Sequence, residues 1–247
     1  MLLAALASGL AFVFAAVVAS RFVRSRRPAF AVWALGLLIF SAAAGFQAAG
    51  EAQGFGQVTF RGFYLLGGVL GVVYLALGTV FLLAPRRVAW ICAGVLVVIT
   101  VILAVDAAVI PVDQAALATP SGVLGGSSAH PTFPQGSPLY IGVVFLNILG
   151  SLVLIGGSAW SAYRYFRDRA GIDRVVCNVL LTAGALVIAY GFTSAKTLGV
   201  GSLDVLGGYE AVGIALMFAG FLSLGRIGQP ATAAPAPVSV TAGSTKP

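Results

Sequence analysis

The chain has 247 residues, 60% of them apolar and 9% charged, with a formal net charge of +7 and a mean hydropathy of +1.03. A soluble domain carries about a quarter charged residues and fewer than half apolar ones, so a soluble enzyme, a disordered chain and a disulfide scaffold are excluded. A polytopic membrane protein remains.

A helix needs about 20 apolar residues to cross a hydrocarbon core about 30 Å thick. Seven segments reach that length: about 2–20, 29–49, 63–83, 88–110, 139–160, 175–195 and 205–225. They are about twice the length of a barrel strand and do not alternate, so their backbone groups must be satisfied as helices. The expected fold is all-α, a bundle of seven transmembrane helices spanning residues 1–228.

The basic residues orient the bundle. Arg21, Arg24, Arg26 and Arg27 lie between spans 1 and 2, and Arg86 and Arg87 between spans 3 and 4. Arg164, Arg167, Arg169 and Arg174 join spans 5 and 6, and Arg226 follows span 7. The opposite loops hold only Arg61 and Lys196. The positive-inside rule then puts the N-terminus outside and the C-terminus in the cytoplasm, so a multi-pass protein of the cell's inner (plasma) membrane is expected. The start Met1-Leu2-Leu3 lacks the positive charge of a signal peptide, so span 1 reads as a retained helix. The excess charge is therefore orientation, not a nucleic-acid footprint, and the arginines face lipid headgroups or a cytoplasmic protein partner.

Between spans 4 and 5 lies an outer loop, 111–138, whose prolines Pro111, Pro120, Pro131, Pro134 and Pro138 argue against a long helix. Residues 229–247 lack material for a core and are expected to form a disordered cytoplasmic tail. An offset of 140 residues aligns Arg24 and Arg27 with Arg164 and Arg167, and Leu66-Gly67-Gly68 with Leu206-Gly207-Gly208. This suggests a three-plus-one-plus-three plan with parallel repeats, a common way to build transporters. Chance matching among Leu/Gly-rich helices is the competing explanation.

A charge inside a span costs about 2.5–3.5 kcal/mol on insertion scales and calls for a reason. Asp106 near the end of span 4 and Glu210 early in span 7 sit at similar outer depth. Glu51, Arg61, Lys196, Tyr64 and Tyr209 fall in the same half, with Gln47, Tyr190 and Asp204. Asn147 lies near mid-membrane, suited either to a ligand or, more commonly, to a bond across helices. The expectation is an outward-facing polar pocket binding a small solute or ion. Asp106 and Glu210 would be its deepest carboxylates, with Arg61 and Lys196 as countercharges; hydration of these groups at the headgroups is the plainer alternative.

Small residues at Ser41, Gly45 and Ala49, and the pair Gly67 and Gly71, permit close helix approach, chiefly within one chain. The one histidine, His130, lies in the outer loop. Haem ligation, a di-iron site and an intramembrane zinc site are therefore not expected, and neither a cofactor nor a catalytic centre is assigned. Cys92 and Cys177 read as packed thiols. The protein is read as a binder or transporter, with a seven-helix receptor signalling through a cytoplasmic partner, or an accessory subunit of a membrane complex, as the alternatives.

The stretch Arg61-Gly62-Phe63-Tyr64-Leu65-Leu66-Gly67-Gly68, followed by Leu77-Gly78-Thr79 and Pro85-Arg86-Arg87, resembles a group of uncharacterised bacterial seven-span integral membrane proteins. That resemblance implies topology and no activity. The plan resembles microbial rhodopsins in topology only, since span 7 has no lysine for a retinal and Lys196 precedes it. It is similar to SWEET-type sugar transporters in its repeat plan, but their proline-glutamine motif occurs here only as Pro134-Gln135, in a loop.

Overall fold

The computed structural model describes residues 1–126, 131–169, 171–197 and 203–224, the side chains of 196 and 197 excepted. Seven long helices stand on the seven apolar runs: α1 (Leu2–Ser25), α2 (Pro28–Gln53), α3 (Gln57–Leu83), α4 (Arg86–Val109), α5 (Pro138–Arg167), α6 (Ile172–Thr197) and α7 (Leu203–Ser223). Each is long and apolar enough to cross a membrane. No strand occurs among the described residues. The chain is an all-α polytopic bundle and a multi-pass membrane protein.

The helices overrun the apolar segments where amphipathic residues carry them on. Helix α5 continues past 160 to Arg167, because long arginine stems can lie along apolar surface while their heads reach water. Helix α3 begins at Gln57 rather than 63; Thr59 Oγ1 accepts from the Gly56 amide at 2.9 Å and covers one of its unsatisfied N–H groups. At its other end α1 stops in a left-handed Arg26 (φ 55°), and Pro28 starts α2 at the first helical position. One end of the bundle thus carries the arginines of three loops. The other end carries Met1, Glu51, Asp204 and the 111–137 segment, and is called the acidic end below.

Six helices close into a ring in the order α1, α2, α3, α5, α6, α7 and back to α1, while α4 lies outside it against α3 and α5. Exchanging the triple α1–α3 for α5–α7 returns the same ring order, as a three-plus-one-plus-three plan requires. Helix α4 buries only Ala89, Leu96, Leu103 and Ala107 and exposes Ile91, Val95, Val98 and Ile102. In a bilayer such a face meets lipid tails and needs no protein partner. Cys92 lies on this exposed side and is not the packed thiol expected; Cys177 is buried.

Two seams show how small residues let helices approach. Within the chain, Gly67 and Gly71 face Ala43 and Phe40 of α2, and Ser8 and Ser41 bond reciprocally to each other's carbonyls at 2.8 and 2.9 Å. Gly45 meets only Ser8 Oγ. Helix α6 meets α7 more directly, Gly184 and Gly213 packing backbone to backbone. Toward the arginine end the ring interior is filled by Phe14, Trp33, Leu37, Leu181, Ile214, Met217 and Phe221.

Among the described residues, the segment between α4 and α5 contains a 3₁₀ turn, Ala116–Ala118, and a one-turn helix, Pro120–Val123. These residues are nonetheless tied together. The Asp113 amide donates to Thr132 O at 2.9 Å, and Thr132 Oγ1 donates to Gly122 O at 2.6 Å. Phe133 buries its ring 4.8 Å from that of Tyr64, edge to face. Its described residues therefore pack down onto the half of α3 at the acidic end. His130, Arg226, the side chain of Lys196 and the whole 229–247 tail lie outside the described residues.

Candidate functional site

The polar residues expected in one pocket are divided among three places. Asp106 and Glu210 are not brought together. Asp106 Oδ2 accepts from the Leu139 amide at 2.8 Å, in the first turn of α5, where Ser137 Oγ accepts from Tyr140 N at 3.2 Å and Pro138 occupies the first position. The carboxylate thus caps a helix N-terminus, which carries partial positive charge. Nor is Arg61 its countercharge: its guanidinium donates to Ala108 O at 2.7 Å and to Ile110 O at 2.9 Å, at the C-terminus of α4. Two helix ends are capped in sequence, α4 by Arg61 and α5 by Asp106.

Glu51 and Glu210 meet elsewhere, among α1, α2 and α7. Gln47 is fully buried (0% exposed) and donates through Nε2 to Glu51 Oε1 at 2.8 Å and to Leu203 O at 3.1 Å. Glu210 is 3% exposed, with Glu51 as its charged neighbour. The Met1 ammonium ion-pairs with both Glu51 and Asp204. Asp204 and then Glu51 hold that ammonium above its ordinary proton affinity. An open depression of about 520 Å³ leads to Glu51 from the acidic end, walled also by Asp204, Gln114, Thr119 and Phe55. Tyr209 turns away from this cluster and sets its ring 5.5 Å from that of Tyr190 on α6.

A third feature lies in the ring interior. Residues Leu66–Leu70 of α3 form a π turn, the Gly71 amide reaching back to Leu66 O. Such turns insert a residue into an α-helix and recur at functional sites. Here the glycine pair lets α2 and α5 approach. Gly67 would put a Cβ 3.2 Å from Ala43, and Gly68 faces Val143. Across from the turn, Asn147 Nδ2 donates to Gly68 O at 2.9 Å. Because Nδ2 must be the donor to a carbonyl, the orientation of the amide is set.

Asn147 and Phe192 line two adjoining cavities. One, of about 40 Å³, is enclosed among Phe40, Leu75, Ser151, Leu154, Ala185 and Met217. The other, of about 240 Å³, runs toward the acidic end between Tyr64, Gly68, Val143, Ile148 and Thr193, and Leu124 of the loop segment walls it there. Tyr64 is buried, and its hydroxyl has no hydrogen-bond partner among the described residues. Asn147 keeps Oδ1 uncommitted, since Nδ2 makes its one bond. The walls are otherwise apolar, and toward the arginine end the space closes on Leu154 and Met217.

Tyr64 and Asn147 were readable from the sequence as polar groups in apolar spans, although at different depths and with no sign of a shared cavity. Phe192, Thr193 and Ser151 carried no signal. The π turn could have been suspected only from the Gly67-Gly68 pair. Cys, His, Asp and Glu side chains form no metal-holding group of three among the described residues. Comparison with protein-family profiles, with curated proteins and with solved structures returns no match to this chain.

Proposed function

We propose that this integral membrane protein binds a small, largely apolar molecule carrying one hydrogen-bonding group, in the cavity between α3, α5 and α6. The observation that carries this reading is Asn147, fixed by its Nδ2 on Gly68 O and with Oδ1 unbonded among the described residues, in the wall of a 240 Å³ cavity that Tyr64 also lines. An unsatisfied buried polar group costs about 1–3 kcal/mol, a cost that a ligand bonded to it recovers. Asn147 Oδ1 supplies an acceptor on the same wall. An apolar cavity of roughly 150 Å³ takes a benzene ring, so 240 Å³ suits a molecule of about ten non-hydrogen atoms. With the N-terminus outside, the loop segment at Leu124 covers the outer approach, and dense packing at Phe14, Trp33 and Phe221 supports binding over passage.

Indole, with nine non-hydrogen atoms and one N–H donor, tests this. Titrated into the protein in lipid nanodiscs, it is expected to raise the unfolding temperature saturably. N-methylindole, which lacks the donor, is expected to bind at least ten-fold more weakly, because the acceptor it covers stays unpaired. Asn147→Leu should remove the difference between the two. Equal shifts in the unaltered protein, or no saturable shift, would overturn the reading.

A further inference from the structure

The cluster of Gln47, Glu51 and Glu210 is separate from the cavity just described and has an imbalance of its own. Among the described residues, buried oxygen acceptors outnumber donors there. Gln47 spends Nε2 on Glu51 and Leu203, and its Oε1, on the same carbon, is buried with no donor among the described residues. Glu210 Oε2 is likewise buried with no donor. In α7 the Cα–Cβ bonds lean toward the N-terminus of the helix, so the Glu210 side chain leaves its backbone toward Leu203, whose carbonyl Gln47 holds.

Helix α1 walls the cluster closely. A Cβ on Gly207 would stand 2.8 Å from the Ala4 amide nitrogen, and Ala7, Ala44 and Ala211 close the space beneath. The Met1 ammonium is shared between Glu51 and Asp204, which leaves two of the three carboxylates in surplus. Asp204 is well exposed and water can serve it. Glu210 cannot be served in that way, because its side chain is 97% buried by its 3% exposure.

We infer that Gln47, Glu51 and Glu210 form a binding site for a monovalent metal cation, reached through the open depression at Glu51. Carboxylate and amide oxygens are the ligands that hard cations select. A single positive charge matches the one carboxylate that, among the described residues, neither water nor the ammonium neutralises. A divalent ion would want more carboxylates than the cluster supplies. The depression gives an ion a hydrated path to Glu51, the charged neighbour of the buried Glu210.

The test uses the full chain in nanodiscs, with unfolding temperature read at constant ionic strength in sodium, potassium or choline chloride. Sodium or potassium should raise the midpoint saturably over choline. Glu210→Gln should abolish that dependence while leaving the midpoint in choline no lower than that of the unaltered protein. Gln47→Met, which keeps both carboxylates, should weaken the apparent cation affinity about ten-fold or more. Identical midpoints in all three salts would overturn the inference, and the site would then hold only a proton. So would a cation dependence that persists undiminished in Glu210→Gln.

Discussion

Gly184→Ala is expected to destabilise the protein by about 2 kcal/mol or more, whereas Gly156→Ala should leave stability within about 0.5 kcal/mol. Both changes add one methyl group to an apolar helix. They differ in what the methyl meets. At Gly184 the new Cβ would lie 2.4 Å from the carbonyl oxygen of Gly213, 2.6 Å from Met217 Cγ and 3.1 Å from the Met217 amide. Two of those atoms are backbone, so no rotamer change relieves the contact and α7 must move as a body. At Gly156 nothing lies within 4 Å. Helix association in a bilayer depends on close van der Waals packing because lipid tails are as apolar as the side chains. Separating α6 from α7 would also disturb Gly191 on Tyr209 and Gly220 on the Cys177 carbonyl. Denaturant titration of the two variants in mixed micelles checks the contrast, and equal midpoints would refute this account of the seam.

This seam marks where sequence reasoning stops. The seven spans were legible because about 20 consecutive apolar residues admit few other structures, and their ends were furthest off where arginines extend α1 and α5 and a glycine cap starts α3 early. The partners of each helix were not legible. Small residues were recognised at Ser41, Gly45, Gly67 and Gly71, yet 32 glycines make most spacings unremarkable. Nothing in the spacing of Gly184, Gly191, Gly213 and Gly220 says that they face one another. Polar residues could be assigned a depth from their position along a span. Depth alone, however, places residues on a disc and not at an angle on it. Asp106 and Glu210 share a depth and stand on opposite arrangements, because α4 lies outside the ring while Glu210 points inside it. Asn147 was read as either a ligand contact or a bond across helices. The structure gives it the second role with Nδ2 and leaves Oδ1 facing the cavities.

Exchanging the charges of Arg61 and Asp106 is expected to deepen the damage of the single changes rather than repair it. Arg61→Met should cost about 2 kcal/mol, since two charge-assisted bonds to Ala108 O and Ile110 O are lost at a partly exposed site. Asp106→Ala should cost about 1 kcal/mol, the ordinary worth of an N-terminal cap, here on the Leu139 amide. Were the two side chains an ion pair, the double variant Arg61→Asp, Asp106→Arg would restore the attraction and recover most of that loss. They are not bonded to each other. Each answers a helix terminus of fixed sign: carbonyls with partial negative charge at the end of α4, and N–H groups with partial positive charge at the start of α5. Reversal would put a carboxylate against carbonyl oxygens and a guanidinium against amide hydrogens, so both ends would change from attraction to repulsion. The double variant should therefore lose at least the sum of the single losses, about 3 kcal/mol. Asp106→Asn, which keeps an acceptor without the charge, should fall between the unaltered protein and Asp106→Ala. Chemical unfolding of the four variants decides the matter, and a double variant more stable than either single one would mean that the two residues act as a pair after all.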